Sequence, residues 1–223
     1  MKELLKKLCQ PTDEQRAESL KAELSARNVA FECLEDRAVV VPAKTDEAVV
    51  LCAHFDVVPG SLGYNDNGMS LVTILSVLER LPEFTEVVFT NGEERGFLGA
   101  RHYLELNRKR LLGCVNLDVC GFGDVVYCDP MGSGVELPGG KTGSMPINDG
   151  WVFSGQGVPA LTLSTGPGEV PFDEGIRRIG QTIHGGPLDN KLEVINFDLP
   201  DLVGGFLLRA LRAFAGGAGK RRK

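Results

Sequence analysis

Histidine is scarce in this chain, at three residues in 223, and so are tryptophan, at one, and aromatic residues generally, at 7%. Long apolar runs are missing: nothing approaches the roughly 18 residues needed to span a bilayer. The first residues, MKELLKKLCQPTDEQ, lack the apolar stretch of a secretory leader. The expectation is a soluble, cytoplasmic protein with no membrane partner. Positive charge is in deficit, 24 Lys and Arg against 30 Asp and Glu, for a net charge of −6. That balance argues against nucleic acid as a partner. The basic run Lys220-Arg221-Arg222-Lys223 follows a Gly/Ala stretch and reads as a solvated tail. The six cysteines include no C-x-x-C pair, and Cys52, Cys114 and Cys120 sit inside apolar runs. They read as small buried hydrophobes in a reducing compartment. There is no G-x-S-x-G elbow. GSGVELPGGKTGS fails as a phosphate loop because Val135 stands where glycine is needed and Pro146 follows. GFGDVV lacks the third glycine of a dinucleotide fingerprint.

What is present is enough apolar material for a substantial core, 43% of residues. Residues 2–9 and 12–27 read as helices separated by Pro11, with Thr12 and Gln15 spaced as a capping box. Residues 29–35 and 37–43 read as a hairpin turning near Asp36. The continuous apolar run AVVLCAH at 48–54 reads as a central strand buried on both faces. A helix follows from about Gly68 to Arg80, then a strand at 86–91, a helix near 97–107, and strands at 113–119 and 124–129. Residues 130–150, rich in Gly, Pro and Ser, read as one long loop. A late strand at 159–165 and a closing helix at 197–215, weakened by Gly204 and Gly205, complete the chain. This alternation predicts a three-layer α/β/α sandwich with a mixed, mostly parallel sheet, antiparallel at one edge, in a single domain spanning 1–223.

Chemistry-bearing residues then fall in a fixed order, each where a predicted strand ends or a loop begins: His54, Asp66, Glu93, Glu94, Asp118, His184. Strand ends are where α/β sheets place their sites. Asp56, two positions after His54, is placed to accept a ring N–H from it. Asp66 alone reads equally as an Asx turn or helix cap, but a carboxylate has two oxygens and can bridge two cations. In the Glu93-Glu94 pair, one acid can bind metal while its neighbour acts as general base. Asp118 in the apolar run GCVNLDVCGF is the least ordinary residue, since a buried Asp is costly unless paired or coordinating. His184 lies in a Gly-rich loop with Asp189 nearby. His102, in a predicted surface helix, reads as a bystander. Two imidazoles with carboxylates on both sides have the composition of a two-zinc hydrolytic site.

The order H-x-D in CAHFDVVPG, the Asp-Asn of NDNGMS, E-E-x-G, N-L-D and a late His in IHGGPLDN resembles metallopeptidase family 28. That group holds the dizinc aminopeptidases, some carboxypeptidases and the glutaminyl cyclases. NDGWVFSGQGVPALTLST is similar to a further segment of that family. The resemblance implies that Asp66 bridges two zinc ions. His54 and Asp118 would complete one site, Glu94 and His184 the other. Glu93 would be the base and Asp56 would orient His54. Three departures bear on substrate preference: a shorter His54–Asp66 loop, an altered run after His184 with Gly185 in place of Thr, and Asn148 where Ser is common. HFDVVPG also looks like metallopeptidase family 20, whose lid domain does not fit in the 65 residues between Asp118 and His184.

The expected activity is that of a zinc-dependent exopeptidase with two Zn2+ per chain, an aminopeptidase hydrolysing small peptides through a metal-activated bridging water. The alternatives are an amidohydrolase or deacylase of N-acyl amino acids, a catalytically silent zinc-binding module, and a glutaminyl cyclase. The cyclase is disfavoured because both metal positions have their full complement of residues.

Overall fold

The computed structural model describes the backbone of residues 1–221 and the side chains of residues 1–217. The side chains of the basic C-terminal tail lie outside the described residues. Eight strands form one sheet: β1 (Glu32–Leu34), β2 (Ala38–Val41), β3 (Ala48–His54), β4 (Thr85–Thr90), β5 (Leu111–Leu117), β6 (Val125–Asp129), β7 (Lys141–Thr142) and β8 (Ala160–Gly166). Their spatial order is β1-β2-β4-β3-β5-β8-β6-β7. The four central strands, β4, β3, β5 and β8, run parallel. The early hairpin pairs antiparallel at one edge, as the sequence implies. The other edge departs from expectation, because β6 also runs antiparallel to β8.

Seven helices cover the sheet: α1 (Lys2–Leu8), α2 (Asp13–Ala26), α3 (Met69–Val77), α4 (Leu98–Asn107), α5 (Asp149–Gly155), α6 (Phe172–Ile179) and α7 (Leu199–Arg221). Side chains alternate across the central strands. Val49, Leu51 and Ala53 of β3 join Val87, Phe89, Val115 and Leu117 in a core under α1, α2, α3 and α7. Val50, Cys52, Val88 and Cys114 face the opposite way, towards α4 and α5. This two-faced burial makes the strands read as unbroken apolar runs. Thr12 caps α2 by accepting the Gln15 N–H, as its spacing predicts.

Two glycines set interlayer distances. A Cβ on Gly113 of β5 would lie 2.5 Å from the Phe214 ring, and one on Gly204 would lie 2.7 Å from Val77. Gly204 thus lets α7 approach α3, whereas a Cβ on Gly205 would meet nothing within 4 Å. The stretch 130–150 is not wholly loop: β7 forms within it, and α5 begins at Asp149. Helix α6 was not legible as an element. It is short, with three of its first four residues Phe, Asp and Glu followed by Gly175, so it carries little helical periodicity. No helix of the described residues is long and apolar enough to cross a membrane.

Candidate metal centre

Because β4, β3 and β5 are parallel neighbours, their C-terminal ends share one edge. His54 is the last residue of β3 and pairs in register with Thr90 at the end of β4. Glu93 and Glu94 follow β4 in a tight turn, and Asp118 follows β5 directly. Asp118 therefore lies just past the strand rather than within it, and its side chain is 17% exposed.

Asp66 arrives from a different direction. Residues Tyr64–Gly68 form a wide turn at the start of α3, in which Asp66 leaves helical dihedrals (φ −113°, ψ 91°). The Asp66–Asn67 peptide bond is cis. Its two neighbours anchor the turn. The Asn67 side-chain amide donates to Leu117 O at 2.9 Å, and its carbonyl accepts from Val119 N–H at 3.1 Å, so it brackets Asp118. Asn65 donates to the Thr182 hydroxyl and accepts from Gly121 N–H, each at 2.7 Å. In sequence these asparagines look like ordinary turn residues, and only the motif NDNG marks them.

His54, Asp118, Glu94 and His184 gather around Asp66. Its Oδ1 lies 3.0 Å from His54 Nε2, and its Oδ2 lies 2.9 Å from His184 Nε2. His54 Nε2 is also 3.6 Å from Asp118 Oδ1, while His184 Nε2 is 3.1 Å from Glu94 Oε1. The carboxylate of Asp66 thus separates two pairs, His54 with Asp118 and His184 with Glu94. Ligand atoms of His54, Asp66 and Glu94 all lie within 4.8 Å of one another.

Asp56 does two things. Its Oδ1 lies 3.4 Å from His54 Nδ1, with its backbone O at 3.3 Å from the same nitrogen. Its two carboxylate oxygens accept the amide N–H groups of Glu93 and Glu94, each at 3.1 Å. One buried acid thereby holds the ring and shapes the Glu-Glu turn. Asp189 does not touch the His184 ring. It accepts N–H groups from Gly185 and Asn190, which fixes the loop rather than the imidazole. His102 lies on α4, away from the cluster.

Charge is crowded here. Burial, with Asp118, Asp149 and Glu94 nearby, pushes the Glu93 carboxyl up to about 9, against the pull of His54. Burial also raises Asp118, although His54 opposes it. Burial would raise Asp66 too, but His184 and His54 outweigh it and hold its carboxyl well below the usual range. His184 is raised to about 10 by its hydrogen bonds to Asp66 and Glu94. Burial would lower His54, yet Asp118, Asp56 and Asp66 leave it well above its ordinary value. Asp149, at the first turn of α5, went unremarked in sequence because an acid after an Asn cap is commonplace. It is 1% exposed and accepts from the Thr90 hydroxyl, while its Oδ1 has no hydrogen-bond partner. Burial lifts its carboxyl to about 6. Asn148 caps α5, accepting from Gly150 N–H at 3.0 Å and from the Thr162 hydroxyl at 2.9 Å. The Asn thus fills the capping role that a Ser would serve.

Six carboxyls around two imidazoles need positive charge. Nitrogen and oxygen donors at these separations suit zinc, and divalent cations would offset the burial and the neighbouring acids that raise Glu93 and Asp118. The residues present fit such a group. Beside them opens a cavity of about 360 Å³, walled by Met145 and Ile147 from the segment before α5, Ile176 and Ile179 of α6, and Phe97 and Ile183. Neither Lys nor Arg is among the described residues that line it. The 130–150 stretch contributes to this rim only through Met145, Pro146, Ile147 and Asn148. The isoleucines of α6 had not been expected there.

A mostly parallel α/β/α sandwich with an imidazole–carboxylate cluster across three adjacent strand ends defines a metallohydrolase-like class of site. The model of peptidase family M28 matches residues 38–136 of this chain. The segment carries His54, Asp56, Asp66, Glu93, Glu94 and Asp118, and stops short of Asp149 and His184. The chain is 38% identical to aminopeptidase YwaD of Bacillus subtilis over 87 residues, 35% of this chain and 19% of that protein. It is 37% identical to a vacuolar membrane protease of Vanderwaltozyma polyspora over 83 residues, 34% of this chain and 9% of that one. The chain therefore matches only a small part of these relatives. Among solved structures, a zinc aminopeptidase from Bacillus subtilis superposes with a TM-score of 0.60 at 21% identity, over 78% of this chain and 48% of that one. An Acidobacteriales glutaminyl cyclase superposes with a TM-score of 0.70 at 15% identity, over 96% and 91%. A leucine aminopeptidase precursor from Bacteroides thetaiotaomicron gives 0.66 at 13%, over 94% and 93%. At these identities the structural likenesses establish the fold.

Proposed function

We propose that the protein is a zinc-dependent exopeptidase, an aminopeptidase that hydrolyses small peptides. One observation carries the reading: the two oxygens of Asp66 face two different imidazoles, at 3.0 and 2.9 Å. A carboxylate so placed can serve two cations at once, as the two-metal hydrolases require. His54 and Asp118 would hold one zinc ion, Glu94 and His184 the other. Bound zinc would supply Lewis acidity for the scissile carbonyl and lower the pKa of water.

The chain's own residues do the rest. Glu93, free of the Asp66 contacts, takes a proton from the attacking water and returns it to the departing amine. Asp56 fixes the amides of Glu93 and Glu94, so base and ligand keep their separate directions although adjacent in sequence. The aminopeptidase reading over the deacylase one draws support from the cavity wall. An N-acyl amino acid brings a free carboxylate, and none of the described residues that line the cavity is a Lys or Arg to receive it. The match to an aminopeptidase of Bacillus subtilis agrees with this choice.

The test is a zinc-loaded activity screen against free-amine peptides, N-acylated amino acids and C-terminal amides. Release of the N-terminal residue from free-amine peptides alone is expected. Turnover confined to N-acylated substrates would move the assignment to a deacylase, and cyclisation of N-terminal glutamine without hydrolysis would move it to a cyclase.

A further inference from the structure

We propose that Arg16, assisted by Asp13, is a positioning residue for the metal centre: it clamps both ends of the loop that joins His54 to Asp66. Only the metal half of this statement rests on the function proposed above.

Arg16 lies on α2, outside the matched segment, and is completely buried. A buried guanidinium is costly unless carboxylates or several acceptors satisfy it. No carboxylate pairs with it among the described residues. Two of its nitrogens, Nε and Nη1, donate instead to backbone carbonyls, while Nη2 has no hydrogen-bond partner. Nε donates to Phe55 O, one residue after His54, and Nη1 donates to Leu62 O at 2.8 Å, four residues before Asp66. The two acceptors bracket the loop. Gly63 is the next residue, at φ +57°, where a Cβ would lie 3.2 Å from Arg16 Nη1 and 2.3 Å from Asp66 O. The guanidinium is thus packed against the backbone that presents Asp66.

Asp13, one turn earlier on α2, works on the same loop. Its Oδ1 accepts from Val57 N–H at 3.1 Å, and its Oδ2 pairs with Arg95 Nη1 at 2.6 Å. Arg95 directly follows Glu94. The first turn of α2 therefore reaches the backbone beside His54, Asp66 and Glu94 together. From the other side, Asn190 accepts from Leu62 N–H and donates to Gly60 O at 3.0 Å. The loop is held between α2 and the segment carrying His184. A leucine would serve packing under the sheet as well as Arg16 does. What only the fork-shaped guanidinium supplies is two directed donors across the span, and with them a fixed His54–Asp66 separation.

The experiment compares wild type, Arg16→Lys and Asp13→Ala. Lys keeps the charge but can reach only one carbonyl at a time. In the metal-free proteins, hydrogen exchange at the amides of residues 57–63 is expected to speed up by about tenfold or more in Arg16→Lys, as loss of a charge-assisted hydrogen bond implies. Zinc affinity, from chelator competition, is expected to fall about 10–100-fold, with an altered visible spectrum of the cobalt-substituted protein. Asp13→Ala is expected to show the same pattern, smaller. Unchanged loop exchange and unchanged zinc affinity beside a lowered melting temperature would overturn the proposal, because a merely structural residue behaves that way. If Arg16→Lys fails to fold, Asp13→Ala decides by the same readouts. If wild type takes up no zinc, the metal reading falls, while loop exchange still decides the clamp.

Discussion

The two imidazoles of the centre stand in unlike surroundings. His54 ends a buried strand, with its side chain 3% exposed and Asp56, Asp66 and Asp118 around it. His184 lies in a loop at φ 51°, with its side chain 52% exposed and, among the described residues, ion-paired to Asp66 and Glu94. One side of the centre is preformed by the sheet: His54 pairs with Thr90 at the end of the β3–β4 ladder, and Asp118 N–H donates to Leu163 O of β8. The other side is completed by side-chain stitches, chiefly Asp189 to Gly185 N–H and Asn190 to the loop at 60–62. A site supported in this way should hold the two proposed cations unequally, with the one near His184 leaving first.

Four outcomes would sharpen or break this contrast. The largest effect is expected in Glu93→Gln. The amide keeps the shape but cannot carry the proton, so turnover should fall about 10²–10⁴-fold with zinc content intact. Steady-state kinetics beside metal analysis checks this, and Glu94→Gln should do the reverse by losing metal first. Next, His54→Ala should disturb metal binding more than His184→Ala. His184→Ala should retain one zinc near wild-type affinity, as read by titration with a chelator. Each variant is expected to keep one zinc, so equal affinities for the retained ion would remove the asymmetry. Third, Asp189→Ala should release the His184 loop and weaken only the second zinc, by about 10–100-fold, as loss of a supporting partner does. The smallest functional effect belongs to Gly113→Val, which forces a side chain against Phe214. Its expected cost is about 1–3 kcal/mol in unfolding free energy, with kinetic constants unmoved, measured by denaturant melts.

The same contrast explains what was legible in the sequence. The strands of the central sheet are buried on both faces, so AVVLCAH and GCVNLDV announce themselves as apolar runs, and the acids and imidazole at their ends stand out against that background. His54, Glu93, Glu94 and Asp118 were therefore readable from position alone. Asp66 and His184 were not, because an Asp in an Asn-rich turn and a His among glycines carry no local signal. They entered through their place in the order of ligand-type residues along the chain, and the family pattern then assigned their roles. Between 130 and 184 the late strand at 159–165 was legible and is β8, but less else could be read. Helix α6 lacks periodicity, yet it supplies Ile176 and Ile179 to the cavity wall. Strand β7 has only two residues, too short for any pattern. Asn65, Asn67, Asp13 and Arg16 act through backbone groups distant in sequence. Their contribution depends on tertiary contacts such as Arg16 to Leu62 O, which local propensity does not encode.

Everything proposed for the centre turns on Asp66 lying between two cations. The most direct measurement is the zinc stoichiometry of reconstituted Asp66→Ala beside His54→Ala and wild type. Two ions in wild type, about one in His54→Ala and close to none in Asp66→Ala are the expected values. Loss of a single ion in both variants would contradict the bridge.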